Sequence, residues 1–207
     1  VKSWLLVVAI LAAGAQAAEI ELEGSRLRVS GMLDGSAIGQ FMEHLGGGQV
    51  RTVIFENSLG GTAEVAGAYA RAIRDSGVNT EARGQCHAAC AYAFLAGKEH
   101  RFARGFQVNG LLIPVAVRPG PQELSSRWRG DEAHKTLAEF TEPAGEANAA
   151  KDRWQPTQGV LFTSTPTLFG RVYNAFYCDG TQGRDMSRCE LLSDADPYKL
   201  GVLTPWP

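Results

Sequence analysis

Beyond its first residues the chain has no long apolar run, and nowhere does it carry a basic stripe or a patch of interleaved aromatic and basic residues. The first absence leaves no second segment to span a bilayer, and the second removes nucleic acid from the expected partners. No segment repeats. Histidine is scarce, four residues in 207. Cys86 and Cys90 are not followed by a second ligand pair at zinc spacing, so neither a metal nor a cofactor is expected. The formal charge is only −2.

What is present begins with Lys2, an uncharged apolar run from Trp4 to Ala13, and small residues ending Ala15-Gln16-Ala17. This is the pattern of a secretory leader. Gly14, Gln16 and Glu19 interrupt the run before it reaches the about 20 apolar residues a membrane span needs. An uncleaved anchor is the alternative, but no basic stop-transfer cluster follows. Residues 1–18 are therefore read as leader, with cleavage after Ala17 or Ala18 and no stable membrane span afterwards. The destination is the periplasm or the exterior, and Val1 in first position fits a non-standard bacterial start codon. Losing Lys2 makes the mature charge −3. Residues 19–207 are enough for one domain with a proper core.

Four cysteines in a chain bound for an oxidising compartment point to disulfides. Three pairings are open. Cys178 with Cys189 is favoured, because Asp179-Gly180-Thr181-Gln182-Gly183 between them is turn-rich; Cys86 with Cys90 would be the second bridge.

Residues 20–29 alternate apolar and polar around Gly24-Ser25, predicting a strand pair. Ile38, Phe41, Met42 and Leu45 predict a helix over 36–45 that Gly46-Gly47-Gly48 stops. A buried strand follows at 50–55, then a helix over 62–75, a short strand at 78–82 and an apolar helix at 88–96 with hardly a polar face. Strand, glycine turn, helix and strand recur within about 50 residues, which argues an α/β stack of β-β-α or β-α-β units on a partly parallel sheet. A strand over 106–117, a charged helix over 123–140, a surface connection or lid at 141–150 and a docking terminal helix over 160–178 complete the expectation. The tail from 191 lies across the surface, with Trp206 in a groove.

Two pieces carry chemistry. Ser58-Leu59-Gly60-Gly61 lies between a buried strand and a helix, so its backbone N–H groups sit at a positive helix end and its glycines let a ligand oxygen approach. Oxyanion holes are built this way, although a glycine pair here can equally be a tight turn. The second piece is Gly84-Gln85-Cys86-His87-Ala88-Ala89-Cys90, leading into Ala91-Tyr92-Ala93-Phe94-Leu95-Ala96-Gly97.

Together they resemble the exported, Clp-like branch of the Clp protease and crotonase superfamily. There a Ser-Pro-Gly-Gly turn is followed roughly 25 residues later by Cys-Ala-Ser-Ala-Cys and a helix ending Phe-Leu-Ala-Gly; here Leu59 stands in place of the proline. The resemblance covers about residues 27 to 112. It implies the Clp/crotonase-like fold, and a cleft formed by Ser58, Leu59, Gly60, Gly61 and Ala89.

It also exposes what is missing. The family's nucleophilic serine corresponds to Ala88, and a methyl group cannot attack a carbonyl. The family's base would fall between Gly105 and Pro114, where the chain reads Val108-Asn109-Gly110-Leu111 without a histidine. Substitutes are poor. Cys86 is read as oxidised and His87 as badly placed to serve it, while His44, His100 and His134 read as surface or boundary residues. Ser58 reads as a hydrogen-bonding turn residue. Asp34, Glu56 and Glu64 flank the cleft, Glu56 at a strand end, and none is given a role.

The expectation is a non-catalytic module that binds a peptide, protein or carboxylate ligand. The rival is a serine-type peptidase or other acyl hydrolase with an unrecognised nucleophile; self-association into homo-oligomers stays open. Crotonase chemistry needs an acyl-coenzyme A, a cytoplasmic metabolite, so export counts against it.

The cysteine reading has its own test. Peptide mapping of the exported protein without reduction should recover Cys178 joined to Cys189, a bridge contributing roughly 3 kcal/mol on the chain-entropy model. Free thiols there, or either residue joined to Cys86 or Cys90, would refute the pairing.

Overall fold

In the computed structural model, residues 17–114, 158–164, 172–175, 190–191, 197–198 and 201–207 are described. The leader up to residue 16, the expected helix at 123–140, the connection at 141–150, and Cys178 with Cys189 lie outside the described residues.

The chain is mixed α/β, with a sheet that is part parallel and part antiparallel. Glu19–Glu23 (β1) and Arg26–Ser30 (β2) form the expected hairpin. Ile38–Gly46 (α1) leads to Thr52–Ser58 (β3), which lies parallel to β2. Ala63–Ser76 (α2) follows. Thr62 caps its start by accepting the Val65 N–H at 3.2 Å, and Gly77 closes it in a left-handed conformation. Asn79–His87 (β4) lies parallel to β3 and runs into Ala89–Leu95 (α3), all of whose residues are buried. His100–Phe102 (β5), Gly110–Pro114 (β6), Gln158–Thr163 (β7), Val172–Ala175 (β8) and Glu190–Leu191 (β9) complete the described elements. The order is β1-β2-β3-β4-β6-β7-β8-β9, with β5 also on β4.

Three sequence expectations need correction. The strand expected at 78–82 runs on to His87, so Cys86 and His87 lie on a strand and face opposite sides of the sheet. Residues 103–109 are a connection, and the strand expected from 106 begins at Gly110. The terminal helix expected over 160–178 is replaced where described by β7 and β8. Val160, Leu161 and Phe162 are consecutive and all buried, so they need cover on both sides, which an inner strand between β6 and β8 provides.

Alternation sorts the sheet into two faces. Leu27 and Val29, Val53 and Phe55, Ala82 and Cys86, and Leu111 and Ile113 pack under the helices. Tyr69 sits at the centre, 4.5 Å from the Phe41 ring and 6.5 Å from Phe55. The opposite face of the first strands is charged: Arg28 pairs with Glu21 and Glu56, and Arg26 with Glu81. Among the described residues no helix is long and apolar enough to cross a membrane.

Strand β4 changes partner along its length. Thr80, Glu81 and Ala82 pair with β5, whereas Gln85, Cys86 and His87 pair with β6, and the break falls at Gly84. The tail then covers β5. The Thr204 N–H donates to the His100 carbonyl at 2.8 Å, the His100 N–H donates to Thr204 Oγ1 at 2.9 Å, and Trp206 lies 4.2 Å from the Arg104 guanidinium.

Burial lowers the pKa of the His100 imidazole, outweighing the opposing effect of its Nδ1–H bond to the Val202 carbonyl at 2.7 Å. A lowered native pKa means that the unfolded chain takes up the proton first. Stability should therefore fall as pH drops below about 6.5 and level off below the native value. Melting temperatures of wild type and His100→Gln across pH 4 to 8 test this. The variant should lose part of the acid-side slope, and identical slopes would show that His100 does not couple tail docking to pH.

Candidate functional site

Ala88 is the single residue between β4 and α3, and its backbone is held at φ +53°, ψ −115°. A non-glycine residue in such a conformation costs roughly 1–3 kcal/mol and persists only where its surroundings over-determine it. They do so here. The Ala88 N–H donates to the Leu112 carbonyl at 3.0 Å, and its carbonyl accepts the Tyr92 N–H at 3.3 Å. Cys86 and Cys90 are joined by a disulfide across a Cα–Cα distance of 5.2 Å, closing the chain around Ala88. This is the expected second bridge, and it leaves no Cys86 thiol for a Cys–His dyad. The Ala88 methyl packs with Leu112 and Leu161 in a small buried cluster separate from the main core. Sharp strand-to-helix turns of this kind display nucleophiles in hydrolases, but a methyl group occupies this one.

The glycine turn comes alongside because β3 and β4 are neighbours in register: beyond an irregularity at Glu56 to Ser58, Ser58 pairs with Cys86. A Cβ placed on Gly60 would stand 3.7 Å from the Ala88 Cβ and 4.0 Å from Met32 Cε. Gly60 therefore faces Ala88 across a narrow gap, with Met32 beside it. Gly61 faces away: a Cβ there would collide with the Leu33 carbonyl, while Leu33 N–H donates to the Gly60 carbonyl at 3.0 Å. One glycine of the pair is required by packing and the other lines the gap. Among the described residues, the N–H groups of Gly60, Gly61 and Ala89 make no backbone hydrogen bond outside the regular elements. Leu59 is 52% exposed at the rim.

Ser58 does not behave as the sequence suggests. It is the last residue of β3, is fully buried, and its hydroxyl has no hydrogen-bond partner among the described residues. The irregularity in β3 carries the side chain into the interior, so Ser58 contributes neither a turn hydrogen bond nor a hydroxyl to the gap. The Ala89 side chain is likewise buried, leaving only its N–H to offer.

Several of the polar side chains that the sequence singles out are held by neighbouring groups. Asn109 accepts the Gly84 N–H at 2.7 Å, donates to the Ala103 carbonyl at 2.9 Å, and anchors its own N–H on Ser164 Oγ at 2.8 Å. His87 is buried, with Nε2 2.8 Å from Gln85 Oε1. Glu56 faces Arg28 at 3.1 Å and Arg83 at 3.8 Å. Asp34 accepts from the Ser36 hydroxyl and N–H, and those bonds hold its carboxyl below the usual range. Glu64 lies in the first turn of α2, His44 in the last turn of α1, and His134 outside the described residues. Among the described residues no group of three or more His, Cys, Asp or Glu could hold a metal ion. Met32, which no motif marks, stands beside Gly60 at the gap, and Leu112 and Leu161 back the Ala88 methyl.

No family model and no curated protein sequence matches the chain. Solved structures of similar fold include a putative enoyl-CoA hydratase from Streptomyces coelicolor A3(2), at 14% identity and a TM-score of 0.35, covering 54% of this chain and 53% of that one. ClpP1 from Listeria monocytogenes matches at 15% identity and a TM-score of 0.40, over 61% of this chain and 87% of that one. A mutant of a membrane-bound stomatin-specific protease matches at 17% identity and a TM-score of 0.36, over 54% of this chain and 60% of that one. The matched region thus spans about half the length of the hydratase.

The two glycines can be told apart by substitution. Gly60→Ala should cost only backbone strain, on the order of 1 kcal/mol, whereas Gly61→Ala must also displace the Leu33 backbone and should cost more than about 2 kcal/mol. Denaturant midpoints decide the order, and a more damaging Gly60→Ala would reverse the assignment.

Proposed function

We propose that the chain is an exported, non-catalytic relative of the Clp proteases and crotonases that holds a peptide or carboxylate group in a degenerate active-site cleft. The observation that carries this reading is Ala88: a strained strand-to-helix turn, opposite Gly60, that presents a methyl group. Nucleophilic catalysis needs an oxygen or sulfur at that point and a base within hydrogen-bond reach. Asn109 is spent on main-chain groups, and Cys86 is spent in a disulfide.

A carbonyl or carboxylate oxygen in the gap would be met by the N–H groups of Gly60 and Ala89, which make no backbone hydrogen bond outside the regular elements, with Met32 and Ala88 as apolar neighbours. A few polar donors in an apolar concavity are what fix a ligand's orientation without cleaving it. The leader pattern of residues 1–17 supports export and hence the periplasm or exterior as the place where this binding happens.

A fluorophosphonate serine-hydrolase probe tests the reading. The native protein should not label, and Ala88→Ser should gain little, since an unassisted hydroxyl is a weak nucleophile. Residual turnover on the order of 10³ over water is compatible with backbone donors acting alone. Peptides captured from a mixed pool should be recovered intact. Strong labelling of the native chain, or cleavage of the pool, would establish the hydrolase instead; strong labelling of Ala88→Ser would mean that a base is present, with His87 the first to mutate.

A further inference from the structure

On the charged face of the sheet, away from the helices, lies a cavity of about 330 Å³ lined by Ala17, Glu19, Arg28, Ser30 and Glu56 among others. Its charge is unbalanced. Its lining carries two carboxylates, Glu19 and Glu56, to one guanidinium, Arg28, while Glu56 also faces Arg83 at 3.8 Å. Arg28 is divided among Glu21, Glu23 and Glu56, and Glu19 enters none of the ion pairs among the described residues.

The backbone enters this cavity at a particular bond. Ala17 is exposed, lines the cavity and bridges to Met32, whereas Ala18 turns its side chain onto the main core. Ala15-Gln16-Ala17 is also the small-residue pattern that a leader peptidase reads. The bond such an enzyme would cut, between Ala17 and Ala18, therefore lies at the cavity wall. The core contact of Ala18 and the β1–β2 ladder that starts at Glu19 remain in place after the cut.

We propose that this cavity is the seat of the mature chain's own α-ammonium group, set in place by cleavage after Ala17 and held by Glu19 and Glu56. The proposal rests on reading residues 1–17 as a leader. Hydrolysis consumes one water: the Ala17–Ala18 amide bond breaks, Ala17 departs as a carboxylate, and Ala18 gains the protonated amine. The departing residue vacates the space beside Ser30 and Gly31 that the ammonium takes up. A neutral amide is thereby replaced by a cation among excess carboxylates, so maturation itself tightens the edge strand.

Two preparations test this: the chain beginning at Ala18, made from a fusion whose protease leaves no added residue, and the same chain with one glycine ahead of Ala18. The native start should melt about 2–4 °C higher at pH 7. An α-amine stabilised in its charged form has a raised native pKa, so the advantage should be full below about pH 7.7 and vanish as pH rises through the native value. Glu56→Gln should shrink the difference between the two starts. Because that change also disturbs Arg28 and Arg83, the pH profile of Nα-acylation in the wild type gives a second measure, and its midpoint should lie above the ordinary 7.7–8.0. Equal melting temperatures together with an ordinary acylation midpoint overturn the proposal. Intact mass of the exported protein separates the two readings: retention of residues 1–17 sinks the leader and the proposal together. A start at Glu19 spares the leader but sinks the proposal, and a start at Ala18 without the stability difference sinks the proposal alone.

Discussion

The amide of Asn109 satisfies a break that β4 cannot repair by itself. Where β4 leaves β5 and joins β6, the Gly84 N–H drops out of the ladder inside the protein, and an unpaired buried donor costs about 1–3 kcal/mol. Asn109 Oδ1 accepts a hydrogen bond from that N–H at 2.7 Å while its Nδ2 donates to the Ala103 carbonyl at 2.9 Å, so one side chain ties the break to the connection ahead of β6. The placement of β6 fixes Leu112, whose carbonyl receives the Ala88 N–H. Asn109 thus serves as a structural amide that joins the break in β4 to the approach of β6.

The strain at Ala88 has a similar logic. Glycine would adopt φ +53° without penalty, yet alanine is present, and its methyl contributes to the cluster with Leu112 and Leu161. Burying one methyl is worth about 0.8 kcal/mol, which offsets part of a strain cost of 1–3 kcal/mol but not all of it. The remainder must come from outside the residue. A fully buried α3 cannot move without exposing its whole surface, and the Cys86–Cys90 bridge ties its first turn to the end of β4. The turn is therefore set by its neighbours, and would hold its shape with serine or alanine alike.

Much of the fold was legible because it is local. The Gly24-Ser25 hairpin, the Thr62 cap and the uniformly apolar α3 each state their structure within a dozen residues. Strand β5 was not legible, since His100, Arg101 and Phe102 are too few to show alternation and gain their pairing from β4 and the distant tail. Val160, Leu161 and Phe162 suit a buried helix as well as an inner strand, and only partners about 50 residues away decide between them. In the candidate site, the meeting of Gly60 with Ala88 followed from the two motifs. The withdrawal of Ser58 did not, because it depends on a register shift between Glu56 and Ser58 that no local residue pattern announces. Met32 escaped for the same reason: its contact is made by the return of the chain from β2, not by spacing.

The two walls of the gap are fastened by separate devices. On one side Leu33 holds Gly60 through a backbone hydrogen bond and packs its carbonyl where a Gly61 side chain would be; on the other, the disulfide and Leu112 hold Ala88. Neither fastening uses the N–H group of Gly60 or of Ala89. A gap whose walls are set without its ligand loses little conformational entropy on binding, and such preorganisation favours affinity. The two walls are held by backbone hydrogen bonds, packing and a disulfide, so the form of the gap does not depend on which small side chain stands at position 88.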